Sequence, residues 1–591
     1  MVSNLLKKKV DIADHSVSVV GQVNAQKSHG LVGFFKNPYV FWNAAFASLG
    51  CLMYGYDQGV MGSILVMENF EAHFTDFVGT KGANLQSWMV AALELGAWLG
   101  ALFAGWLCDR ISRKHTMNVA VIIFTLGTGL QTGAQSTAFL YAGRIVGGLG
   151  IGMFSMVIPL YQAEIAPPEL RGSLVSLQQL AITIGSMLSF WIDYGFHFIK
   201  DSSCLPEGQP ENYTHTLANG TVVEFDPIAA HGHTCTGETA TAWRVPLGLQ
   251  IIPAWILFFG MWFFPYSPRY LVMKDKDEEA KVALSKLRAL DTDDPLLIAE
   301  YLEIKSTVLF DREVKEELRA QGWLAPIREL FVPNIFKRIM IGVFTMIFQQ
   351  FTGINAVMYY APQIFDSFGF TSVTTTLLAT GVTGILQVCF TLPAVLFLDK
   401  LGRRTFMMTG ALGMAVCHII IAAIDGVYSD QWALNEHLAV SAGWASVVFI
   451  WIFAINFAYS WGPVAWVLIQ EIFPASFRAR GVSIAASTNW MFNFIIGLTT
   501  KDMLASMKYG TYIFFAAFCI LGFLFMWLYV PETKDKTLEE LDVYFGGGED
   551  SIALADRERM RRIQESLGYF DNVDALVQEK RTDIDHIENE A

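Results

Sequence analysis

Long, nearly uncharged apolar runs recur from residue 41 to residue 530 of this 591-residue chain. The hydrocarbon core of a bilayer is about 30 Å thick, so an α-helix of about 20 apolar residues crosses it. Only 16% of the residues are charged, whereas a soluble chain carries about a quarter. We predict an all-α polytopic membrane protein with twelve transmembrane helices, over residues 41–63, 86–107, 116–134, 138–160, 174–196, 245–265, 338–360, 374–398, 405–424, 444–470, 482–502 and 511–530.

Two pairs of similar loop sequences divide the chain into halves. LCDRISRK (107–114) is similar to FLDKLGRR (397–404), and YQAEIAPPELRG (161–172) is similar to LIQEIFPASFRARG (468–481). The members of each pair lie at equivalent places among six predicted helices, as parallel repeats would. We therefore predict two pseudo-symmetric six-helix halves.

Polar segments join and flank the two halves. The predicted divisions are an N-terminal tail (1–37), an N-terminal half (38–265), a linker with short amphipathic helices (266–337), a C-terminal half (338–530) and a C-terminal tail (531–591). The polar N-terminal tail lacks the apolar core of a cleavable signal peptide, so we expect the first membrane helix to direct targeting.

Lysine and arginine are concentrated in one set of loops. This set includes residues 109–115, 167–172, 399–404 and 473–480. Because loops rich in these residues stay in the cytoplasm, we predict that this set and both termini are cytoplasmic, in a multi-pass plasma-membrane protein. The net charge of −14 is confined to loops and tails and leaves no basic surface for nucleic acid.

The predicted outer loop, residues 197–242, carries two glycosylation sequons and two cysteines. The sequons begin at Asn212 and Asn219. Cys204 and Cys235 share an oxidising environment, so they form either a disulfide or two free thiols. The other cysteines lie in or beside apolar spans, and no spacing matches a metal site, so we predict no metal and no cofactor.

The basic loops also carry carboxylates one or two helical turns from the cations. We predict a cytoplasmic charge network that links the halves while the outside is open and separates when the inside opens. Its members are Asp109, Arg113, Glu164, Arg171, Asp399, Arg403, Arg404, Glu471 and Arg478. The alternative is that these charges set only the topology.

Charged residues are scarce inside the predicted helices. Asp57 lies in the first helix and Arg144 in the fourth. An aspartate beside an arginine in a bundle core forms a proton switch, because protonation of the carboxylate breaks the pair. The alternatives are a permanent structural ion pair or an Asp57 that faces water at the outer mouth.

The segment Gln349–Phe365 places amides and hydroxyls within an apolar run. Unpaired polar groups are costly in hydrocarbon, so these side chains must face a ligand or other helices. Gln349, Gln350 and Asn355 both donate and accept hydrogen bonds, and Tyr359 and Tyr360 add flat rings. This combination suits an uncharged ligand rich in hydroxyl groups, and we predict that Gly353 interrupts the helix.

Eight motifs lie along the predicted helices and loops. They are YGYDQGV (54–60), GRIVGGLGIG (143–152), PLYQAEIAPPELRG (159–172), QQFTGINAVMYYAP (349–362), DKLGRR (399–404), WGPVAWVLIQEIFP (461–474), STNWMFNF (487–494) and VPETKDKTLEEL (530–541). Together these motifs resemble the sugar porters of the major facilitator superfamily, most closely fungal hexose and pentose transporters. The resemblance covers about residues 38–545 and implies the major facilitator fold.

The resemblance also implies roles for individual residues. The implied sugar ligands are Gln179, Gln349, Gln350, Asn355, Gln387, Trp466 and Asn489. Tyr359 and Tyr360 occupy the positions of the gate residues in this family. Asp57 and Arg144 occupy the positions of the aspartate–arginine pair that is found in its proton-coupled members. Two departures, Tyr266 for a glutamate and Ser112 for a glycine, are expected to weaken the charge network of the N-terminal half.

We therefore expect a monosaccharide transporter, for glucose, xylose or a related sugar, that couples transport to protons by alternating access. We expect a functional monomer in the lipid bilayer and no enzyme, because nothing pairs a nucleophile with a base. The alternatives are a facilitative uniporter, a polyol or organic-acid transporter, and a transporter-like sugar sensor.

Overall fold

The structure is a computed structural model. It describes residues 38–77, 79–167, 171–199, 214–216, 222–224, 239–322, 324–368, 373–428, 436–474, 476–534, 541, 544–545 and 552–573.

Twelve membrane crossings form two six-helix halves. The N-terminal half comprises α1 (Pro38–Ala47), α2 (Leu49–Ile64), α3 (Glu68–His73), α4 (Gly79–Ile111), α5 (Arg113–Thr132), α6 (Thr137–Ile165), α7 (Arg171–Phe196), α8 (Thr241–Leu249) and α9 (Ile251–Gly260). The linker comprises α10 (Pro268–Met273), α11 (Asp277–Arg288), α12 (Pro295–Ala320) and α13 (Ala325–Glu329). The C-terminal half and tail comprise α14 (Pro333–Phe351), α15 (Ile354–Ser367), α16 (Val373–Leu401), α17 (Arg403–Tyr428), α18 (Glu436–Tyr459), α19 (Trp461–Glu471), α20 (Arg478–Met507), α21 (Gly510–Tyr529) and α22 (Ile552–Ser566).

Within the described ranges, nine crossings satisfy both the length and the hydropathy expected of a membrane helix. The other three are α1–α2, α5 and α7. The first is divided into helices of 10 and 16 residues, each shorter than a full crossing. Polar side chains lower the hydropathy of α5, and several side chains in the first turns of α7 lie outside the described residues. Because α5 packs against α6 and α7 packs against α2 in the N-terminal half, both take their places in the bundle, and the predicted fold class is confirmed.

Two crossings break close to the central axis of the bundle. α14 ends at Phe351 and α15 begins at Ile354, and Gly353 between them has φ +90°, a conformation that favours glycine. As predicted, Gly353 interrupts the helix. The tenth crossing breaks at Ser460, between α18 and α19. These breaks turn the flanking polar side chains toward the interior of the bundle.

The outer loop adds a small hairpin that the sequence analysis does not predict. β1 (Thr214–Thr216) pairs antiparallel with β2 (Val222–Glu224), with His215 opposite Val223. Cys204, Cys235, Asn212 and Asn219 lie outside the described residues, so the disulfide and the glycosylation sites stay predictions.

Small residues set the close spacing of the helices in the N-terminal half. A Cβ atom on Gly152 of α6 would lie 1.9 Å from the carbonyl oxygen of Ala97 on α4. One on Gly55 of α2 would lie 1.9 Å from the carbonyl oxygen of Ile182 on α7. Backbones this close gain dispersion contacts that larger side chains would prevent.

Replacing Gly152 by valine is therefore expected to force α4 and α6 apart. We expect the free energy of unfolding to fall by about 1–3 kcal/mol, the usual cost of overpacking. Thermal unfolding of the purified protein in detergent measures this change. Gly105→Val is the matched control, because a Cβ atom there would meet nothing within 4 Å. Equal unfolding temperatures for the two variants would contradict the packing argument.

The linker and the tail form a small apolar cluster against the basic loops. Leu271, Leu284 and Leu297 of the linker are buried together with Tyr569 and Val573, which follow α22. Ion pairs join α22 to α12, with Arg559 2.6 Å from Glu317 and Arg562 3.4 Å from Glu313. We call the end of the bundle that carries this cluster the basic end.

Candidate functional site

A central cavity lies between the two halves and encloses about 620 Å³ of unfilled space, open solvent included. The N-terminal half contributes Tyr54, Gln58, Ser155, Gln178, Gln179, Ile182, Thr183 and Ser186. The C-terminal half contributes Gln349, Gln350, Ile354, Asn355, Met358, Gln387, Phe457, Trp466, Asn489 and Trp490. These lining side chains are amides, hydroxyls, rings and aliphatic groups, and none is charged. The cavity is therefore suited to a neutral, polar ligand.

All the residues that the sequence implies as sugar ligands line this one cavity. They come from α7, α14, α15, α16, α19 and α20, so the structure brings together residues far apart in sequence. The sequence analysis missed Gln58, Ser155, Thr183 and Ser186. Thr183 and Ser186 follow Gln179 at intervals of four and three residues, so helical spacing along α7 was the signal for these two.

Hydrogen bonds fix the amides of the C-terminal half. Asn489 Nδ2 donates to Gln349 Oε1 at 2.5 Å, and Gln349 Nε2 donates to the carbonyl oxygen of Trp461 at 2.8 Å. Asn355 Nδ2 donates to Gln350 Oε1 at 2.5 Å. Gln349, Gln350 and Asn355 flank the break between α14 and α15, and Trp461 begins α19 directly after the break at Ser460. The two breaks therefore bring these hydrogen-bonding groups together. Such fixed side chains present their remaining donors and acceptors in defined directions.

The amide of Gln179 has no hydrogen-bond partner among the described residues, although it lines the cavity. Its Nε2 lies beside Gly462 of α19, in the opposite half. An amide without a protein partner retains its full capacity to bind hydroxyl groups. Trp466, Trp490 and Phe457 supply ring surfaces to the same cavity. The site thus combines free amide capacity with apolar walls.

Tyr359 and Tyr360 are fully buried and stand outside the cavity lining. The Tyr359 hydroxyl donates to Glu94 Oε1 at 2.5 Å, and the Tyr360 hydroxyl donates to the carbonyl oxygen of Gly497 at 2.7 Å. Gly62 of α2 packs against the backbone of Tyr359. These contacts join α15 to α2 and α4 of the N-terminal half and to α20.

Asp57 and Arg144 form an ion pair in the N-terminal half. Arg144 Nη1 lies 3.1 Å from Asp57 Oδ2, and both side chains are 0% exposed. Gln250 Nε2 donates to the second oxygen, Asp57 Oδ1, at 3.2 Å. The alternative in which Asp57 faces water is therefore wrong. The neighbouring residue, Gln58, lines the cavity, so the ion pair lies beside the candidate site.

Two of the described ion pairs at the basic end each lie within one half. Arg113 Nη2 lies 2.9 Å from Glu164 Oε1, and Arg403 Nη2 lies 2.8 Å from Glu471 Oε1. Arg113 also lies 3.5 Å from Asp109. The side chain of Arg404 donates to backbone carbonyl groups at the end of α21. These pairs do not join the two halves directly in this structure.

Other parts of the predicted network differ from expectation or lie outside the described residues. Arg480, two residues after Arg478 of the predicted network, pairs with Glu329 of the linker at 2.5 Å. The Tyr266 hydroxyl lies 3.0 Å from His115 Nε2, while Ser267 donates to Glu164 at 2.5 Å. Tyr266 is thus hydrogen-bonded to His115, and Glu164 is paired with Arg113 and Ser267. The side chains of Arg171 and Asp399 lie outside the described residues, and Arg478 begins α20.

Comparison with known proteins supports the same interpretation of the fold. A family model described as "Sugar (and other) transporter" matches residues 43–545. The MFS glucose transporter mfs1 of Aspergillus flavus is 34% identical over 542 residues, which are 89% of this chain and 94% of the relative. A probable quinate permease of Aspergillus niger is 31% identical over 545 residues, with coverage of 90% and 94%.

Solved structures share the fold along most of the chain. The xylose transporter XylE from E. coli, in a partially occluded inward open conformation, matches with a TM-score of 0.65 and 28% identity. That match covers 85% of this chain and all of XylE. The proton:xylose symporter XylE bound to 6-bromo-6-deoxy-D-glucose matches with a TM-score of 0.66 and 29% identity, covering 86% of this chain and 99% of XylE. This chain therefore belongs to the sugar porter family of the major facilitator superfamily.

Proposed function

We propose that this protein transports a monosaccharide across the membrane together with a proton, by alternating access. The observation that carries the proposal is the uncharged cavity between the halves, lined by amides from both of them. A site at the interface between repeats opens to either side when the halves rock against each other. The fungal glucose transporter and the xylose symporter among the relatives support the same substrate class.

The cavity has the chemistry that a sugar requires. The amides of Gln179, Gln350 and Asn355 can donate to and accept from ring hydroxyls. The rings of Trp466 and Trp490 can cover the apolar C–H face of a sugar. A facilitative uniporter would use the same cavity, so the substrate class and the coupling mechanism need separate tests.

Asp57 is the proposed site of proton coupling. Ionised Asp57 is neutralised by Arg144 on another helix, α6, and is stabilised by the hydrogen bond from Gln250. Protonation removes the charge of Asp57 and weakens its attraction to Arg144. This change frees α2 and α6 to shift relative to each other. Because Gln58 on α2 lines the cavity, the shift reaches the sugar site directly.

The basic end is the proposed cytoplasmic side, in the plasma membrane, with both termini in the cytoplasm. In that orientation Tyr359 and Tyr360 are gate residues that close the outer side. The ion pairs Arg113–Glu164 and Arg403–Glu471 hold the helix ends within each half. Each chain contains a complete cavity, which supports a functional monomer.

Quinate is a second candidate substrate, because several of the relatives, the Aspergillus niger protein among them, are named quinate permeases or probable quinate permeases. Quinate carries a carboxylate, and a buried carboxylate needs a cationic partner. The lining of the cavity contains no lysine, arginine or histidine among the described residues. The charge of the site thus favours a neutral sugar over quinate.

Uptake of labelled glucose and xylose tests the proposal in cells that lack their own hexose carriers. We expect uptake of at least one sugar, faster at an external pH of about 5 than at about 7, because external protons drive symport. We expect excess unlabelled sugar to compete and quinate to have no effect. Absence of any monosaccharide uptake by protein shown at the cell surface would refute sugar transport. Uptake independent of pH would favour a uniporter, and competition by quinate would favour an organic-acid substrate.

A further inference from the structure

Glu94 is a buried carboxylate in the membrane interior that the proposed mechanism does not use. It lies on α4, in the N-terminal half, and is 0% exposed. Tyr359 on α15 donates to its Oε1 at 2.5 Å, and Asn493 Nδ2 on α20 donates to its Oε2 at 2.8 Å. Both donors belong to the C-terminal half. The two carboxylate oxygens of one half are therefore satisfied by hydrogen bonds from the other half.

Hydrogen bonds from the C-terminal half are the main interactions that stabilise the Glu94 carboxylate. Within the described part of the chain, no lysine or arginine forms an ion pair with Glu94. The titratable and charged neighbours that act on it are Tyr54 and Asp57 on α2, Arg144 on α6, and Tyr359. Arg144 is already paired with Asp57. A buried carboxylate that loses its donors carries a large desolvation cost, so separation of the halves at this level is unfavourable.

A short chain of hydrogen bonds connects Glu94 to the cavity. Asn493 Oδ1 accepts from Asn355 Nδ2 at 2.8 Å, and Asn355 lines the cavity. Gln58 Nε2 of the N-terminal half donates to Asn355 Oδ1 at 2.7 Å. Hydrogen bonds thus connect the gate residue Tyr359 with the proposed sugar ligand Asn355, and they join the two halves of the protein.

We propose that Glu94 is a positioning residue that latches the outer side closed, by binding Tyr359 and Asn493 across the interface between the halves. Opening of the outer side must break both hydrogen bonds. Because Asn493 also accepts a hydrogen bond from Asn355, a sugar that binds Asn355 changes the stability of the hydrogen bonds between Glu94 and the C-terminal half. The inference rests on the alternating-access function proposed above.

Accessibility of position 87 to a thiol reagent tests the latch without any sugar. Ser87 is 0% exposed, lies beside Tyr360, and is about 10 Å along α4 from Glu94. In the Ser87→Cys protein, a membrane-impermeant methanethiosulfonate added outside reacts with the introduced thiol when the outer side opens. Labelling is measured by difference from the same protein with Ser87.

We expect Glu94→Gln, made in the Ser87→Cys protein, to raise the rate of labelling at position 87 by about tenfold, because one charge-assisted hydrogen bond is lost and the other is weakened. Tyr359→Phe should raise this rate by a smaller factor. The double variant should show less than the product of the two factors, since both changes act on the hydrogen bond between Tyr359 and Glu94. Asp193→Asn is the matched control, because Asp193 is a buried carboxyl of the same half that forms no hydrogen bond to the C-terminal half in the described chain.

Unchanged labelling in Glu94→Gln, or an equal increase in Asp193→Asn, would overturn the latch. If Glu94→Gln does not fold, Tyr359→Phe provides the same test, and unchanged labelling there also overturns it. In uptake assays we expect Glu94→Gln to lower KM and kcat together, because the outward-open state becomes more populated and closes more slowly. A merely structural defect would lower only the amount of active protein. Failure of sugar uptake would refute the proposed function, while the labelling result would still decide the latch.

Discussion

The variant Asp57→Asn is expected to lose sugar accumulation while it retains exchange of sugar across the membrane. Asparagine has nearly the shape of aspartate and can still accept the hydrogen bond from Gln250. Asparagine cannot bind a proton in the physiological range, so protonation at position 57 can no longer change the interaction with Arg144. Sugar binding uses the uncharged cavity and should survive the change.

The expected effect on accumulation is large. A membrane potential of about 100 mV supplies about 2.3 kcal/mol per proton, which supports about a 50-fold accumulation of a co-transported sugar. In sealed vesicles with this imposed potential, we expect the native protein to approach that ratio and Asp57→Asn to remain near one. Counterflow of labelled sugar, measured in the same vesicles, should persist.

The variant Asp193→Asn is the control that shows whether loss of any buried carboxyl group in the N-terminal half abolishes accumulation. Asp193 lies on α7, is 0% exposed and forms no ion pair with Arg144. This variant should accumulate sugar as the native protein does. Full accumulation by Asp57→Asn would exclude Asp57 as the coupling site. Loss of counterflow together with accumulation would show instead that the charge of Asp57 is required for the transport movement itself.

The variant Gln179→Leu is expected to weaken sugar binding by about 10- to 100-fold, through the loss of one or two hydrogen bonds to the sugar. Leucine is close to glutamine in size but offers no donor or acceptor. Because the Gln179 amide has no partner in the described chain, the protein itself should lose little stability. The measurement is the half-saturation concentration of sugar uptake, together with the thermal stability of the purified protein.

Gln162→Leu provides the matched control for this prediction. Gln162 is equally an amide of the N-terminal half, but it donates to Ser48 Oγ at 2.7 Å and does not line the cavity. We expect this variant to lower stability and leave the half-saturation concentration unchanged. If Gln179→Leu binds sugar normally, the cavity is not the sugar site or Gln179 does not contribute to it.

The apolar runs alone determined the helices of this protein. In a bilayer the backbone must satisfy its own hydrogen bonds, so a run of about 20 apolar residues has to be a helix. Repeated loop motifs then predicted the two halves. Polar residues within the runs, such as Gln349 and Asn355, indicated the cavity lining, because hydrocarbon forces them toward the interior of the bundle. The family resemblance added Gln179.

Tertiary structure decided which polar groups meet. Sequence analysis does not indicate that Glu94 is satisfied by Tyr359 and Asn493, because these partners lie on helices of the other half, hundreds of residues away in the chain. The described ion pairs Arg113–Glu164 and Arg403–Glu471 at the basic end likewise each form within one half. Helical spacing fixes which residues share a face of one helix. Which face meets which neighbour depends on the packing of whole helices, where glycines such as Gly55 and Gly152 allow backbones to touch.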